Sequence, residues 1–165
     1  MRGIRTHGTI PIVRYLGLDV GDRWIGLAVG DTDARIATPL HTMRRSARSA
    51  AADVATIQRL CATEGTSNVV VGLPRNMDDS LGPQARRTLA FAERLRALGL
   101  IVTLCDERLS SAAAADHVTA ARGRPPRQGE RIDHVAAAII LQDYLDGSGH
   151  EGLTLGSVRT AGEGV

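Results

Sequence analysis

Two closely spaced runs of alternating apolar residues, within residues 15–31, constrain the fold of this chain more than any other feature. The segment reads YLGLDVGDRWIGLAVGD, and a short polar interruption separates the two runs. Apolar residues at every second position are typical of β-strands with one covered face. The residues that share this face in the first run are Leu16, Leu18 and Val20. We predict a β-hairpin with Gly21-Asp22 as its two-residue turn, because glycine tolerates the positive φ of such turns.

Asp19 falls on the other face of the first strand, near the carboxyl end of that strand. Gly17 and Gly21 flank it, and glycine in a strand often marks the close approach of a ligand or another backbone. Two interpretations are open at this point. Asp19 is a functional carboxylate, or it is an aspartate that simply precedes a turn, where this residue is common.

The composition indicates a single domain with an aliphatic core. Of the 165 residues, 43% are hydrophobic but only 2% are aromatic, so alanine, valine, leucine and isoleucine must fill the interior. We predict a folded domain over residues 14–146, between a disordered arm at 1–13 and a disordered tail at 147–165. The net charge of +2 is too small to indicate a nucleic-acid-binding protein by itself.

Neither a targeting segment nor a membrane span is predicted. No apolar run approaches the length of a signal-peptide core or of a membrane-spanning helix. Cys61 and Cys105 match no metal-binding spacing, so we interpret both as packed free thiols. These features favour a reducing, cytoplasmic setting.

Strands and helices alternate beyond the hairpin. The predicted elements are, in order, a strand at 35–40 interrupted by Pro39, a helix at 46–64, a strand at 68–74, a helix at 83–98, a strand at 100–105, a helix that Ser110 caps and that ends near 121, and a helix at 132–145. The strand at 68–74 is rich in consecutive β-branched residues, which is typical of burial on both faces of a parallel sheet. This order predicts an α/β fold with a mixed five-stranded sheet. Its three N-terminal strands are antiparallel, the two further strands are parallel, and helices cover both faces.

The last helix carries apolar residues at helical spacing, which predicts its inward face. The residues on that face are Ile132, Val135, Ala136, Ile139 and Ile140. Just before this helix, residues 122–129 contain two prolines, two glycines and three arginines. We predict a mobile basic loop there, because this composition suits neither a helix nor a strand.

Three acidic residues fall where open α/β sheets bind ligands, outside the carboxyl ends of the strands. Asp19 ends the first strand, Glu107 follows the last strand, and Asp133 begins the last helix. Each has an ordinary alternative: Asp133 stabilises a helix N-terminus by about 0.3–1 kcal/mol, and Glu107 pairs with Arg108. If the three converge, each pair at about 4 Å costs on the order of 4 kcal/mol at an effective dielectric of about 20. A cation relieves such repulsion, and an all-oxygen site suits Mg²⁺ or Mn²⁺, two of which can clamp a phosphodiester.

Five segments of the chain follow one another in the order and spacing of a known family. They are LGLDVG at 16–21, VGLPRNMD at 71–78, GPQ at 82–84, DERLS at 106–110 and DHVAA at 133–137. Over residues 14–146 the chain therefore resembles the YqgF/RuvX family. The members of that family are RuvC-like Holliday junction resolvases linked to pre-16S rRNA processing, and they have a ribonuclease H-like fold.

The resemblance implies a divalent-metal-dependent endonuclease whose catalytic and metal-binding residues are Asp19, Glu107 and Asp133. It implies Mg²⁺ or Mn²⁺, bound as two ions that lower the pKa of water, so that no histidine is needed as a general base. The implied substrate is structured nucleic acid, either the 5' end of the pre-16S rRNA or branched DNA. A homodimer suits the second substrate, because a four-way junction has two-fold symmetry.

Residues outside the acidic cluster are predicted to bind nucleic acid, and these are Arg23, Asn76, Arg108, Arg122, Arg124 and Arg127. Arg23 and Arg108 contact the nucleic-acid backbone or neutralise the acids. Asn76 hydrogen-bonds phosphates or shapes its own loop, and both interpretations are open. The three arginines of the basic loop bind backbone charge rather than read sequence.

Two other functions fit parts of the pattern. The first is a nucleic-acid- or ribosome-binding module of the same fold without hydrolytic activity, against which the presence of all three acids argues. The second is a sugar-kinase or actin-like phosphotransferase, because an Asp-x-Gly hairpin also opens those folds. Such enzymes need two lobes around the nucleotide, and 165 residues supply one.

Overall fold

The computed structural model of the chain describes residues 10–109, 112–124 and 132–147. Ser110, predicted to cap a helix, and Arg127, predicted to bind nucleic acid, lie outside the described residues. So do most of the predicted arm, most of the predicted tail and the second half of the basic loop.

A five-stranded sheet forms the centre of the fold. Its strands are β1 (Arg14–Val20), β2 (Trp24–Asp31), β3 (Thr38–Arg44), β4 (Asn68–Leu73) and β5 (Ile101–Asp106). They lie in the order β3-β2-β1-β4-β5. The hairpin strands β1 and β2 are antiparallel, as are β2 and β3, whereas β4 runs parallel to both β1 and β5. This is the mixed sheet that the sequence predicts.

Helices cover both faces of the sheet, also as predicted. In the described ranges they are α1 (Ala50–Thr63), α2 (Pro83–Ala97), α3 (Ala112–Arg122) and α4 (Asp133–Leu145), and a 3₁₀ turn (Glu107–Leu109) follows β5. The first two pack on one face of the sheet, and the last two pack on the other. None of these helices is long and apolar enough to cross a membrane.

The helix boundaries follow local chemistry. Ser49 caps α1 by accepting a hydrogen bond from the Ala52 N–H, so this helix begins later than the predicted residue 46. Gly65, with φ +68°, follows the end of α1, and Gly99, with φ +86°, follows the end of α2. Pro83 occupies the first turn of α2, where its missing N–H costs nothing.

Strand β4 is buried on both faces, which confirms the interpretation of its β-branched run. Val69 and Val71 belong to the apolar cluster under α1 and α2, and Val70 belongs to the cluster under α4. All three side chains are fully shielded from solvent. Cys61 and Cys105 are buried free thiols, as predicted.

The hairpin turn lies one residue later than predicted. The Gly21 N–H donates a hydrogen bond to the Trp24 carbonyl at 2.9 Å, so the two turn residues are Asp22 and Arg23. Val20 pairs with Ile25 in the same ladder. Gly21 therefore completes the ladder instead of entering the turn, and its φ is not positive.

The predicted strand at 35–40 is wrong at both ends, because β3 spans Thr38–Arg44. Buried Gln142 of α4 holds the preceding segment: its Oε1 accepts from the Ala37 N–H and its Nε2 donates to the Arg35 carbonyl, both at 2.9 Å. Pro39 lies within β3, an edge strand where a missing N–H is tolerated, but the register with β2 shifts directly after it, between Gly26 and Ala28.

The predicted inward face of α4 is only partly right. Val135 and Ile140 are buried, but Ile132 precedes the helix and is 55% exposed. Buried positions that the prediction missed are Ala137, Ala138, Leu141, Gln142, Asp143 and Leu145. The helix is covered on two sides, by the sheet and by α3, so its buried surface is wider than a single apolar stripe.

Candidate active site

Asp19 lies near the carboxyl end of β1, on the sheet face that α4 covers. It pairs opposite Gly26 of the antiparallel strand β2. On its other side β1 runs parallel to β4, with Leu18 beside Val71. The carboxyl ends of β1, β4 and β5 therefore meet at one edge of the sheet, as expected from the strand order.

Glycine at position 26 allows the start of α4 to rest directly on β2. A Cβ atom at Gly26 would lie 1.8 Å from the Asp133 carbonyl oxygen and 2.7 Å from the His134 nitrogen. Gly17 has the same role farther along α4, where a Cβ would lie 2.8 Å from the Leu141 Cβ. These contacts bring the first turn of α4, and with it Asp133, against the strand pair that carries Asp19.

Glu107 reaches the same edge from the other side. It opens the 3₁₀ turn after β5, and its Oε1 would lie 2.6 Å from a Cβ at Gly72 of β4. Because β4 separates β1 from β5, the bare backbone at Gly72 lets this carboxylate extend over the intervening strand. A larger residue at this position would exclude the side chain from the site.

The electrostatics couple Asp19 to both other acids. Burial, and then the charge of Asp133, raise the pKa of Asp19 to about 6. Burial, followed by the charges of Asp19 and Asp106, raises the pKa of Glu107 to about 7. Asp19 is thus the central member of the group, and its surroundings disfavour the charged form of its carboxyl.

The donor set fits a hard divalent cation. All three side chains offer carboxylate oxygens, which are the ligands that Mg²⁺ and Mn²⁺ prefer. Burial and negative neighbours raise the pKa values of Asp19 and Glu107, so the charged forms of these carboxyls lack a stabilising positive partner in the part of the chain that the structure describes. As placed, however, no three His, Cys, Asp or Glu side chains among the described residues stand close enough together to enclose an ion. The coupling is pairwise, through Asp19.

Arg108, predicted to contact nucleic acid or to neutralise the acids, is engaged by other carboxylates. Its Nη2 donates to Asp106 at 2.7 Å and to Asp79 at 2.8 Å. Burial acts to raise the pKa of Asp106, but the hydrogen bonds and charge of Arg108, with the charge of Arg75, hold it below its usual value. Arg108 therefore neutralises the neighbour of Glu107 rather than Glu107 itself.

Asn76 has a clear structural role in its loop. Its Nδ2 donates to the Ser80 Oγ at 2.9 Å, and its N–H donates to the Ser80 carbonyl at 3.1 Å. Of the two interpretations of Asn76, these contacts support loop shaping, and a phosphate contact stays a prediction. Arg23 lies exposed in the hairpin turn, on the other side of β1 from β4.

Arg122, the last residue of α3, and Arg124, just after it, border a cleft that reaches the first turn of α4. The cleft has a volume of about 240 Å³ and runs along the first half of β3. His134 also lines it, and the His134 Nδ1 lies 3.1 Å from the Thr42 Oγ1. Two of the three arginines assigned to the basic loop thus share a cleft with His134, although Arg122 is the last residue of α3 and not part of a loop, and the third, Arg127, is not described.

The sequence analysis did not predict a contact of Arg45 that holds the hairpin turn after Asp19. The buried Asp53 of α1 lies 3.4 Å from Arg45, whose Nη1 donates to the Gly21 carbonyl at 3.0 Å. This contact ties the hairpin turn after Asp19 to α1 and to the end of β3. The separation of these residues along the chain gives no periodic signal, so no pattern in the sequence predicts the contact.

Known proteins similar to this chain identify its family. The family described as "RuvX: Holliday junction resolvase" matches residues 13–147. A protein of Moorella thermoacetica named "Putative pre-16S rRNA nuclease" is 46% identical over 142 residues, which cover 86% of this chain and 100% of that protein. A protein of Chloroflexus aggregans with the same name is 48% identical over 132 residues, covering 79% of this chain and 92% of the relative.

The fold is similar to that of a solved resolvase. Thermus thermophilus RuvC in complex with a Holliday junction substrate has a TM-score of 0.56 and 18% sequence identity, covering 82% of this chain and 94% of RuvC. At this identity the likeness concerns the fold alone, and it confirms the expected ribonuclease H-like architecture. The assignment to a family rests on the family match over residues 13–147 and on the two relatives, which are 46% and 48% identical to this chain over most of its length. The chain belongs to the RuvX (YqgF) family, which is a family of nucleases.

Proposed function

We propose that this chain is a divalent-metal-dependent endonuclease that hydrolyses phosphodiester bonds in structured nucleic acid. One observation carries the proposal: the backbone contact at Gly26 holds Asp133 close to Asp19, whose pKa is raised by burial and then by the charge of Asp133. Glu107 is coupled to the same carboxylate from the β5 side. A cation bound at this edge would offset the repulsion between Asp19 and each of the other two acids.

Asp19, Glu107 and Asp133 are the residues that would hold the metal, which we propose to be two ions of Mg²⁺ or Mn²⁺. Such ions supply Lewis acidity toward a phosphate and a lowered pKa for water. The protein contributes carboxylates on three rigid elements, a strand end, a 3₁₀ turn and a helix start. His134 is not required as a base in this scheme, and its Nδ1 is within hydrogen-bond distance of Thr42.

Two substrates are consistent with the family. The relatives are named for pre-16S rRNA and the family for Holliday junctions. We propose that the chain processes the 5' end of the rRNA precursor, resolves branched DNA, or does both, in the cytoplasm. Arg122 and Arg124, in the cleft that His134 also lines, support backbone binding through charge. On a four-way junction the enzyme would act as a homodimer, because the substrate is two-fold symmetric.

A cleavage assay tests the proposal. Wild-type protein, Asp19→Asn and the exposed control Glu93→Gln on α2 are incubated with a four-way DNA junction and with the 5' region of an rRNA precursor. We expect wild type and Glu93→Gln to cut at least one substrate in Mg²⁺ or Mn²⁺, and we expect Asp19→Asn and EDTA-treated protein to be inactive.

The same assay separates the alternatives. If wild type and Asp19→Asn bind the substrates equally well and neither cuts, the chain is a nucleic-acid-binding module with the same fold. Binding of ATP by the wild-type protein, measured by calorimetry, would favour the phosphotransferase interpretation instead.

A further inference from the structure

The loop at residues 74–82 connects β4 to α2. It begins at the carboxyl end of β4, which lies between the strands that carry Asp19 and Glu107, and its residues hydrogen-bond to one another. The Asp79 N–H donates to the Asn76 carbonyl at 3.0 Å, and the Asn76 N–H donates to the Ser80 carbonyl at 3.1 Å. The Ser80 Oγ donates to the Asp78 Oδ1 at 2.6 Å. These bonds fix the backbone of the loop on both sides of residue 77.

The loop is also fastened to the turn that carries Glu107. Arg108, the next residue, donates to the Asn76 carbonyl at 3.0 Å and to the Asp79 Oδ1 at 2.8 Å. Asp79 adopts a φ of +66°, in the left-handed region that aspartate tolerates in turns. The tip of the loop therefore has a fixed position relative to the candidate active site.

Met77 projects from this fixed tip and is 91% exposed, the highest exposure among the large apolar side chains that the structure describes. A single apolar residue on a protein surface needs no explanation in itself. Here the backbone on both sides is held by hydrogen bonds, and one of its anchors is the neighbour of Glu107. The chain thus presents an apolar side chain at the edge of the acidic site.

The loop tip is not built to bind phosphate. Asp79 is paired with Arg108, and Asp78 is held by Ser80, whose hydrogen bonds lower the pKa of the Asp78 carboxyl. Both carboxylates disfavour a phosphate at the tip itself, although Arg75 and Arg108, which pair with Asp79, reduce that repulsion. The face or edge of a base is the apolar alternative.

The aromatic residues of the chain do not serve this purpose at the acidic edge. Phe91 is 2% exposed, and the rings of Tyr15 and Tyr144 pack on each other at 5.1 Å. Trp24 lies beneath the guanidinium of Arg44, at 6.0 Å. Among the exposed large apolar side chains near this edge, Met77 at 91% is more exposed than Ile132, which precedes Asp133 and is 55% exposed.

We propose that Met77 is an apolar wedge that contacts an unstacked base beside the bond to be cut. The inference rests on the proposed function and adds a source of structure selectivity to it. Methionine is unbranched and polarisable, and proteins insert such side chains between base steps. Insertion costs least where stacking is already interrupted, at a branch point or at the end of a duplex. The wedge thus favours branched or partly unpaired nucleic acid over a continuous duplex.

Binding by inactive protein tests this inference. The probe is a four-way DNA junction with 2-aminopurine at the branch point, and a second probe is a branched RNA with the same fluorophore. The proteins are Asp19→Asn and the same protein with Met77→Ala, Met77→Leu or Ile101→Ala added. Ile101 is the matched control. It is also exposed, but it lies at the start of β5, at the end of the strand opposite to the one that Glu107 follows.

We expect fluorescence to rise when Asp19→Asn binds a branched probe, and Met77→Ala to remove most of this rise at saturating protein. Met77→Ala should weaken binding to the branched probe about tenfold, in keeping with the loss of one base contact. Met77→Leu and Ile101→Ala should behave like the parent protein. An equal rise with Met77→Ala, or no binding of Asp19→Asn to either branched probe, overturns the inference. All proteins in this binding test carry Asp19→Asn and are not expected to cut. A failure of wild-type protein to cleave would therefore refute the proposed function, but it would not decide whether Met77 contacts a base.

Discussion

The two faces of the sheet are built on opposite principles. Under α1 and α2 the strands present bulky side chains, among them Leu16, Leu18 and Leu27, that keep the helices at the distance of a normal apolar core. Under α4 the strands present Gly17 and Gly26, and the helix rests on the backbone itself. Only the second face carries Asp19.

The difference separates stability from function. The bulky face buries most of the large aliphatic side chains, which contribute roughly 1.5–3 kcal/mol each when fully buried. The glycine face gives up some of that burial for close approach, and the close approach sets the position of Asp133. Substitutions on the two faces should therefore fail in different ways.

The largest effect is expected from Gly26→Ala. Its new Cβ would overlap the Asp133 carbonyl oxygen, so the start of α4 must move by more than an ångström. Displacement of a catalytic group on this scale costs about 100-fold in rate, and overpacking costs about 1–3 kcal/mol of stability. Cleavage rates and thermal melts of the same preparations measure both effects.

Gly30→Ala is the matched control, because it lies on the same strand and face but meets Leu145 and Ile36 at the far end of α4. It should lose stability and keep its cleavage rate per folded molecule. Equal loss of activity in the two variants would contradict the special role of position 26.

The opposite face should respond to Leu95→Ala in the opposite way. Leu95 is a fully buried residue of α2, and its truncation leaves a cavity that costs about 2–5 kcal/mol of unfolding free energy. Because α2 holds none of the three acids, cleavage by the folded fraction should stay at the wild-type level. A large loss of activity at a temperature where the variant is folded would show that the faces are not independent.

Asp19→Asn should sharpen the comparison by raising stability while it removes function. The pKa of Asp19 is raised to about 6 in the folded chain, so wild type loses stability as the pH rises from about 4 to 6, and the full penalty applies above that range. In metal-free buffer at pH 8 the variant should be more stable by about 1–3 kcal/mol. Below pH 4 the difference should vanish.

Denaturant titrations of both proteins at the two pH values measure this effect. A variant that is less stable than wild type at pH 8 without metal would mean that Asp19 is held by compensating contacts instead of opposed by its neighbours. Added Mg²⁺ should stabilise wild type and leave the variant unchanged.

The smallest effect is expected from the surface charges. Arg124 borders the cleft beside His134 on the glycine face, whereas exposed Arg94 lies on α2. Arg124→Ala should weaken binding to all nucleic acids alike and reduce the slope of log affinity against log salt by about 1. Arg94→Ala should leave the slope unchanged. A change with Arg94→Ala, measured by fluorescence anisotropy at several salt concentrations, would place the binding surface on the other face.

Local pattern was enough to predict much of the fold. The alternation in 15–31 predicted the hairpin, and the β-branched run predicted the strand buried on both faces, because both signals reside in adjacent residues. The start of β3 could not be predicted this way. That start depends on Gln142, which lies more than a hundred residues away in the sequence. The Gln142 side chain hydrogen-bonds the backbone of Arg35 and Ala37, so these residues form a loop instead of pairing as a strand.

The candidate site also has a part that the sequence predicts and a part that it does not. Asp19, Glu107 and Asp133 stand at the ends of elements, and topology alone brings such positions to one edge of a sheet. The contact at Gly26 was not predictable, since nothing local distinguishes a glycine that receives a helix from one that only fills a strand. The contact of Arg108 with Asp79 was likewise not predictable, because Asp79 comes from a loop that the strand pattern does not describe.

Diffraction from a crystal soaked in Mn²⁺ tests the central claim most directly. Data collected near the manganese absorption edge should give an anomalous peak bounded by carboxylate oxygens of Asp19, Glu107 and Asp133, and the peak should be absent in Asp19→Asn crystals. A peak that does not involve Asp19, or equal peaks in both crystals, would contradict the account.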